Sequence, residues 1–347
     1  MHAYVNMASC DWQITKQKLT ERSQYLLELG LWSDCNFIVG QEPQQQTFKG
    51  HKLFLAMSSP VFEAMFFGGM AEKNDPIPIE DVQPEAFKVL LEYIYTDKIE
   101  LDSFELACDL WNCAKKYMLP SLVEECIKYL SSHLSAKNAC KAYEIAKLFE
   151  ESGLLDKCLQ IIRTKTNEVL KESTWEEVEL KTLLKILDQD DLQILSEVEL
   201  FNAVERWAIA ECQRKSLEPT DKTSLRSVIG SALLKIRFLS LSSKEFADGI
   251  GVSPLLTRDE AFTILMNIPS KDIVPMPEGF STNRNRRNPN VINFQAQTTF
   301  VSQENASPMF GVANSSLPFG RTHKVTSRYI KKKVAGRLIC AKNKVYY

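Results

Sequence analysis

Few side chains in this 347-residue sequence could carry out catalytic or metal chemistry. Its four histidines, at positions 2, 51, 133 and 323, are too dispersed for the cysteine and histidine spacings that hold zinc. The sequence contains no G-x-x-x-x-G-K-[ST] phosphate loop, no G-x-G-x-x-G dinucleotide motif and no G-x-S-x-G nucleophile motif. We therefore predict a protein with no catalytic site, no bound metal and no cofactor.

The nine cysteines are scattered, form no C-x-x-C pair and are odd in number, which suits no disulfide framework. This usage is typical of a reducing compartment. The N-terminus has no basic region followed by an apolar core, and no apolar run approaches the roughly 20 residues needed to cross a bilayer. We expect a cytoplasmic protein without a membrane partner, and a nuclear location stays open.

Charge is distributed unevenly along the chain, although the net charge is only -2. Twelve basic residues and one acid, Glu304, follow Phe280, so this end carries +11 and the remainder carries -13. Two basic clusters, residues 284–287 and 331–333, could direct nuclear import or contact nucleic acid. Most runs of like charge are only solvated, so the sequence does not favour a nucleic-acid partner.

The first third of the chain has the pattern of an α+β fold. Apolar residues at helical spacing predict a first helix that Gly30 ends in the left-handed conformation. Residues 35–39 and 47–49 are predicted strands, and residues 77–79 form a predicted edge strand because Pro78 cannot donate a ladder hydrogen bond. Further helices are predicted at residues 61–67, 85–95, 104–117 and 121–133.

The middle of the chain, from residue 135 to about residue 266, has helical period in nearly every segment and predicts an all-helical second domain. Its helices are predicted at residues 139–150, 154–169, 183–187, 197–212, 223–235 and 243–249. After Ile268, prolines and a polar composition predict a disordered basic tail. The predicted organisation is a flexible N-terminus (1–17), two domains (18–131 and 132–268) and the tail (269–347).

The order of motifs in the first domain resembles the BTB/POZ domain. The matching segments are residues 33–34, 48–52, 55–56, 59–62, 65–66, 81–82, 84–87 and 93–96. The helical region resembles a BACK domain, through residues 201–207 and 247–249. The closest subgroup is the BTB-BACK proteins that end in a PHR domain. The resemblance implies a small three-stranded sheet flanked by helices, followed by an all-α domain.

The resemblance implies a binding protein and not an enzyme. Many BTB proteins recruit cullin-3 and act as the substrate receptor of a ubiquitin ligase, through a hydrophobic residue, any residue and a glutamate. A flexible methionine can fill an irregular groove, and a glutamate can accept hydrogen bonds from a helix end. Family members also present an aromatic residue between two later helices to the same partner. The implied cullin-3-binding residues are Phe66, Met70, Glu72, Tyr117 and Leu119.

Each of these side chains also has a structural explanation. Met70 could cover the domain's own core, Glu72 could be a solvated loop charge, and Tyr117 could pack internally. The resemblance further implies that Asp34 and His51 make capping contacts or a buried polar pair.

BTB domains usually pair through the first helix and its neighbours, which suits an apolar face on the first predicted helix. The implied dimerisation residues are Leu19, Tyr25, Leu26 and Leu29. The implied partners are therefore cullin-3, a second copy or another BTB protein, and an unknown protein substrate.

The end of the chain departs from the family pattern. Residues 271–347 are too few for a kelch propeller at about 50 residues per blade, and they lack the strand pattern of a β-sandwich of about 100 residues. The N-terminal lead-in is also too short for a MATH domain. Three functions stay open: a cullin-3 adaptor, a scaffold or shortened regulator that dimerises with a longer BTB protein, and a transcription or chromatin cofactor.

Overall fold

The computed structural model describes residues 11–270 and 273–287. A three-stranded sheet with flanking helices forms the first domain, and helices form the second, as the sequence predicts. The strands are β1 (Cys35–Val39), β2 (Gln46–Gly50) and β3 (Ile77–Ile79). The helices of the first domain are α1 (Trp12–Thr15), α2 (Leu19–Leu29), α3 (Lys52–Ser58), α4 (Pro60–Phe67), α5 (Pro84–Thr96), α6 (Phe104–Lys116) and α7 (Pro120–Ser132).

The sheet has the strand order β2-β1-β3, so the central strand is the first in sequence. β1 pairs with β2 in antiparallel register, with Phe37 opposite Phe48, and with β3 in parallel register, with Phe37 opposite Ile77. Every second residue of β1 is buried, which is the alternation expected of a strand with one face on the core. β3 lies at the edge of the sheet, where Pro78 is tolerated, as predicted.

Local capping fixes the boundaries of the helices that surround this sheet. Gly30 has φ +60 and ends α2, which confirms the predicted left-handed position. The Ser59 hydroxyl accepts hydrogen bonds from the amides of Val61 and Phe62, and Pro60 fills the first position of α4. The chain therefore restarts as a new helix directly after α3.

The second domain contains eight α-helices within the described residues. They are α8 (Ala139–Leu148), α9 (Ser152–Thr164), α10 (Thr166–Val169), α11 (Leu180–Leu187), α12 (Glu197–Arg214), α13 (Lys222–Ile229), α14 (Ser243–Ala247) and α15 (Arg258–Asn267). Short 3-10 segments at Ser173–Glu177, Gly230–Lys235, Phe238–Ser240 and Ile250–Val252 connect them. The helix predicted at residues 223–235 ends at Ile229, because Gly230 (φ +50, ψ -129) departs from helical geometry.

One continuous cluster of buried apolar side chains runs through both domains. Trp175 and Trp207 belong to it, and their indole N–H groups donate to the carbonyls of Ala203 and Val178 at 2.9 and 2.8 Å. The seven described cysteines are buried and unpaired, and burial raises the pKa of thiols such as that of Cys126 to about 12. These thiols therefore act as small apolar core groups.

The structure corrects both ends of the predicted domain organisation. Residues 12–15 form the one-turn helix α1, and the Trp12 ring lies 4.9 Å from Tyr25, so this part of the predicted flexible N-terminus is folded. Residues 273–287 pack against the second domain and bury Phe280 and Arg287, so the predicted tail does not begin at residue 269. Residues 1–10 and 288–347 lie outside the described residues.

Candidate partner-binding surfaces

The loop after α4 folds back over the last turn of that helix. The amide of Glu72 donates to the Met65 carbonyl at 2.8 Å. A Cβ on Gly68 would lie 2.3 Å from the carbonyl oxygen of Ala64, so this close approach of backbone to backbone requires glycine. The position of the loop is therefore fixed by α4 itself.

Within this loop, Met70 and Glu72 have different environments. The Met70 side chain is 85% exposed, so it does not cover the domain's own core. One carboxylate oxygen of Glu72 accepts hydrogen bonds from the amides of Lys73 and Asn74 at 2.9 and 3.1 Å. Glu72 thus stabilises the loop, and Met70 offers the apolar side chain beside the exposed Phe67 at the end of α4.

Phe66 lies between the core and the surface. Its ring is half-buried, stacks on Phe62 with centroids 6.1 Å apart and meets Phe37 edge-on at 6.3 Å. The ammonium of Lys52 lies 5.8 Å from the centre of the same ring. Phe66 therefore supports the end of α4 and leaves part of one ring accessible.

The prediction that Tyr117 and Leu119 face a partner is wrong. Tyr117 is fully buried, and its ring stacks on Phe62 with centroids 4.3 Å apart and meets Phe87 edge-on at 6.1 Å. Its hydroxyl has no hydrogen-bond partner among the described residues, and burial raises its pKa well above the ordinary value. Leu119 is also buried. The chain after α6 faces the apolar interior formed by α4 and α5, which draws both side chains inward.

The predicted dimerisation face on α2 is apolar but only partly exposed. Leu19 and Leu29 are exposed, whereas Tyr25 and Leu26 are half-buried. Trp12 covers one side of Tyr25, and the ammonium of Lys16 lies 4.9 Å from the centre of the Tyr25 ring. The two leucines are thus the accessible apolar side chains of the predicted set.

Three exposed side chains near this helix were not among the predicted site residues. Trp32 is 70% exposed and has φ +60, a left-handed conformation that is strained for any residue other than glycine. Leu53 and Met57 are exposed and lie four residues apart on one face of α3. The sequence did contain a signal for the exposure of Leu53 and Met57. The helix α3 is apolar on both faces, and only one face of a helix can pack on the domain's own core.

A hydrogen-bond network joins the turn that carries Trp32 to the start of α3. The Tyr95 hydroxyl accepts from the His51 amide at 2.8 Å and lies 2.7 Å from Nδ1 of the same residue, to which it donates. Nε2–H of His51 then donates to the Leu31 carbonyl at 2.7 Å. Asp34 caps α3 by accepting from the Lys52 amide at 2.8 Å. The prediction that Asp34 and His51 make structural contacts is confirmed, and the turn carrying Trp32 is held against the start of α3.

The basic cluster at residues 284–287 is not a free cationic patch. Nε of Arg287 donates to Glu197 at 2.7 Å, and a terminal nitrogen of Arg284 donates to the Asn267 carbonyl at 2.6 Å. Only Arg286 of the three arginines is exposed. Two of its three arginines are therefore engaged within the chain, and an import or nucleic-acid role of this cluster stays a prediction, while residues 331–333 lie outside the described residues.

Within the described part of the chain, neither a metal site nor a membrane-spanning helix is found. In residues 11–270 and 273–287, no three His, Cys, Asp or Glu side chains are grouped so that they could hold a metal ion. Over the same residues, no helix has the length and apolar character to span a bilayer. What the first domain presents is two sets of accessible apolar side chains: Phe67 and Met70 at the end of α4, and Leu19, Leu29, Trp32, Leu53 and Met57 on and beside α2 and α3.

Comparison with known proteins gives the following matches. The BTB/POZ domain family model matches residues 24–134, and the model described as BTB And C-terminal Kelch, or BACK, matches residues 139–250. BTB/POZ domain-containing protein 6-B of Danio rerio is 37% identical over 261 residues, which cover 75% of this chain and 54% of that protein. The human BTB/POZ domain-containing proteins 6 and 3 are 36% and 37% identical, over 74% of this chain and 47% and 48% of their own lengths. The chain spans about half the length of the curated relatives it matches.

Proposed function

The chain belongs to the BTB-BACK proteins, and on that basis we propose that it is a substrate-recruiting adaptor of a cullin-3 ubiquitin ligase that works as a BTB-mediated dimer. BTB-BACK proteins are generally non-catalytic adaptors. The accessible apolar side chains suit that role. The function proposed is binding and presentation of a protein substrate, in the cytoplasm and with nuclear entry open.

Met70 carries the proposal. It is a large apolar side chain, 85% exposed, on a loop whose backbone is fastened to α4 and whose shape is stabilised by Glu72. A preorganised loop loses little conformational freedom on binding, so burial of the methionine adds directly to affinity. We assign Met70 as the anchor for cullin-3, with Phe67 and the accessible part of Phe66 as its apolar surroundings.

Glu72 takes a different role from Met70 in this proposal. Its carboxylate oxygen is engaged by the amides of Lys73 and Asn74, so it acts by holding the loop in place. Tyr117 and Leu119 have no part in the contact, because both are buried.

Dimerisation is proposed through the separate apolar set on α2, α3 and the turn between α2 and β1. Leu19, Leu29, Trp32, Leu53 and Met57 are exposed there, and the His51 network holds the turn and α3 together. A second copy would remove these five side chains from water, which favours association.

The test compares two exposed methionines by calorimetry with the N-terminal region of cullin-3. Met70→Ala is expected to weaken the binding of the full chain to cullin-3 at least tenfold, since truncation of a central apolar anchor costs about 1.4 kcal/mol or more. Met57→Ala, which truncates a methionine that is also exposed but lies on the other surface, serves as the matched control and should leave cullin-3 affinity per protomer unchanged.

Two contrary results of this calorimetry would each contradict a part of the proposal. Equal affinity of wild-type chain and Met70→Ala would remove the assignment of this site. A wild-type chain that binds no cullin-3 would remove the adaptor function, and a mixed dimer with a longer BTB protein would then favour the regulator.

A further inference from the structure

Residues 273–287, which we call the clasp, pack on the second domain although they follow its last helix. The BACK family model ends at residue 250, so the clasp lies outside the matched segment. It contains no helix or strand, and its composition alone predicted disorder. Its contacts with the domain come at four places along its length.

The first contact is made by the buried side chain of Asn267, the last residue of α15. Its amide oxygen accepts from the Ile273 amide at 3.1 Å, and its amide nitrogen donates to the Val274 carbonyl at 2.6 Å. The Asn267 side chain thus both accepts from and donates to the backbone of the clasp, as the backbone of a neighbouring strand would. The start of the clasp is fixed to the end of α15.

The second contact is apolar. Phe280 is buried, and its ring centre lies 6.0 Å from that of Phe238. The adjacent amide of Ser281 donates to the Leu234 carbonyl at 3.1 Å. Phe280 therefore covers Phe238 and extends the core of the domain.

The third contact satisfies the open end of α15. The guanidinium of Arg284 donates to the carbonyls of Asn267 and Ile268 at 2.6 and 3.1 Å. These carbonyls lie at the C-terminus of the helix, where the backbone has no partner of its own and the helix dipole favours a cation.

The fourth contact is a buried ion pair. Arg287 and Glu197 are 1% and 2% exposed, and Nε of the arginine donates to the carboxylate at 2.7 Å. The other nitrogens of Arg287 donate to the carbonyls of Leu187, Gln189 and Lys235 at 2.5, 2.7 and 2.8 Å. The second oxygen of Glu197 accepts from the Arg237 amide at 3.0 Å. Both charges are thus fully hydrogen-bonded inside the domain.

This ion pair specifies one arrangement of the chain. A buried charge without a partner is strongly unfavourable, so Glu197 requires an arginine at this point. Arg284 and Arg286 are close in sequence, but a shift of the clasp by one or three residues would break the Asn267, Phe280 and Ser281 contacts together. The pair therefore selects a single register for a segment that has no secondary structure to set one.

We propose that the clasp is an obligatory part of the folded BACK domain, because a domain without it would leave the Glu197 carboxylate buried without a cation. The folded domain then extends at least to Arg287, twenty residues beyond the end of α15. The clasp itself is independent of cullin-3 binding, since none of its contacts involves the first domain.

Amide hydrogen exchange of the full chain, followed by mass spectrometry, tests the clasp directly. In the wild-type chain, peptides that contain Ile273, Val274 and Ser281 should exchange at least tenfold more slowly than an unfolded peptide, because these amides are hydrogen-bonded to the second domain. Arg287→Met should accelerate exchange in the clasp at least tenfold, because Glu197 loses its partner, while peptides from β1 and β2 stay unchanged. Arg286→Met is the matched control, since it removes the adjacent and exposed arginine, and it should change nothing.

A second, milder variant tests the clasp in case Arg287→Met unfolds the whole domain. Arg284→Met removes only the bonds to the end of α15 and should accelerate exchange several-fold in the clasp alone. Exchange of the wild-type clasp at the rate of an unfolded peptide would overturn the proposal. So would equal exchange in the Arg287→Met and Arg286→Met variants.

Discussion

The exposed apolar side chains of the BTB domain and the enclosed ion pair of the BACK domain show two different uses of side chains that lie outside an ordinary apolar core. The BTB domain leaves Leu19, Trp32, Leu53, Met57 and Met70 exposed. The BACK domain encloses the Arg287–Glu197 ion pair and fills all the remaining hydrogen-bonding positions around it. Exposed apolar groups gain by association with another chain, whereas enclosed charges gain only from the chain that already surrounds them.

This difference separates the two sources of specificity in the molecule. In the proposed adaptor the first domain derives its specificity from partners, because its accessible side chains are held in place by backbone and histidine contacts without being buried themselves. The second derives it from its own sequence, because a single arginine satisfies a buried carboxylate. Four changes test whether this division holds.

The largest effect is expected from Arg287→Met, which should lower the free energy of unfolding by about 3–5 kcal/mol, since it leaves Glu197 buried without a counter-ion. The double change with Glu197→Met should cost clearly less than the sum of the two single changes, because no charge remains unpaired. Urea unfolding followed by circular dichroism measures both. Strictly additive costs would mean that the two side chains do not act as a pair.

The next effect concerns the exposed apolar set of the first domain. Leu53→Asp should weaken dimerisation at least a hundredfold, about 2.7 kcal/mol, because a carboxylate would have to leave water at the interface. Sedimentation at several protein concentrations measures the dissociation constant. Val252→Asp changes an exposed apolar residue of the BACK domain and should leave dimerisation unchanged. Equal weakening by both variants would contradict the assignment of the interface to α2 and α3.

A smaller effect is expected from a pair of tyrosines. Tyr117→Phe removes a buried hydroxyl that has no partner and should raise stability by up to about 1 kcal/mol without changing cullin-3 affinity. Tyr95→Phe removes a hydroxyl bonded to His51 and should lower stability by about 1–3 kcal/mol. Thermal unfolding of both variants gives the comparison. A loss of cullin-3 binding in Tyr117→Phe would restore that residue to the partner surface.

The smallest effect is a dependence on pH. Burial raises the pKa of Glu144, whose carboxylate accepts from the Glu179 amide at 2.7 Å. A raised pKa in the folded state means that ionisation of Glu144 costs stability as pH rises through that pKa. Glu144→Gln should therefore be more stable than the wild type at pH 7, by less than about 1 kcal/mol, with the difference vanishing in acid. Urea unfolding at pH 7 and pH 4 measures it.

A carboxylate with the opposite shift provides the control for this last change. Hydrogen bonds from the Ser242 amide and the Ser196 hydroxyl lower the pKa of Glu245. Its ionised form therefore stabilises the fold at neutral pH, and this contribution is lost as pH falls. Glu245→Gln should be less stable than the wild type at pH 7, so the same sign in both variants would contradict the environments described.

Local patterns in the sequence were sufficient for most of the fold. Period and capping residues placed β1, β3, α2 and α4 at or within a residue or two of their observed bounds. The helix expected at residues 223–235 is shorter, because propensity does not reveal that Gly230 adopts a non-helical conformation. The clasp was missed for a related reason: the partners of Phe280, Ser281 and Arg287 lie more than 40 positions away in the sequence, which no local pattern records.

The candidate site was predictable only in part. Met70 and Glu72 follow α4 and could be placed from the resemblance, although the sequence did not show that Glu72 turns toward its own loop. Tyr117 was misplaced because an aromatic residue after a helix has the same sequence pattern whether it faces inward or outward. Trp32 was missed because exposure of a large apolar residue in a left-handed conformation runs against every local preference.

Trp32 also gives the molecule an optical signal. Of the five tryptophans, Trp111, Trp175 and Trp207 are completely buried, whereas Trp32 is largely in water with the Trp12 ring 6.0 Å away. The fluorescence of the three buried indoles thus depends on the interior of the protein. The emission component at longer wavelength comes from Trp32 and its surroundings, on the surface beside α2. Any second molecule that covers this place will shift that component to shorter wavelength, so the unlabelled protein carries its own fluorescent reporter of pairing.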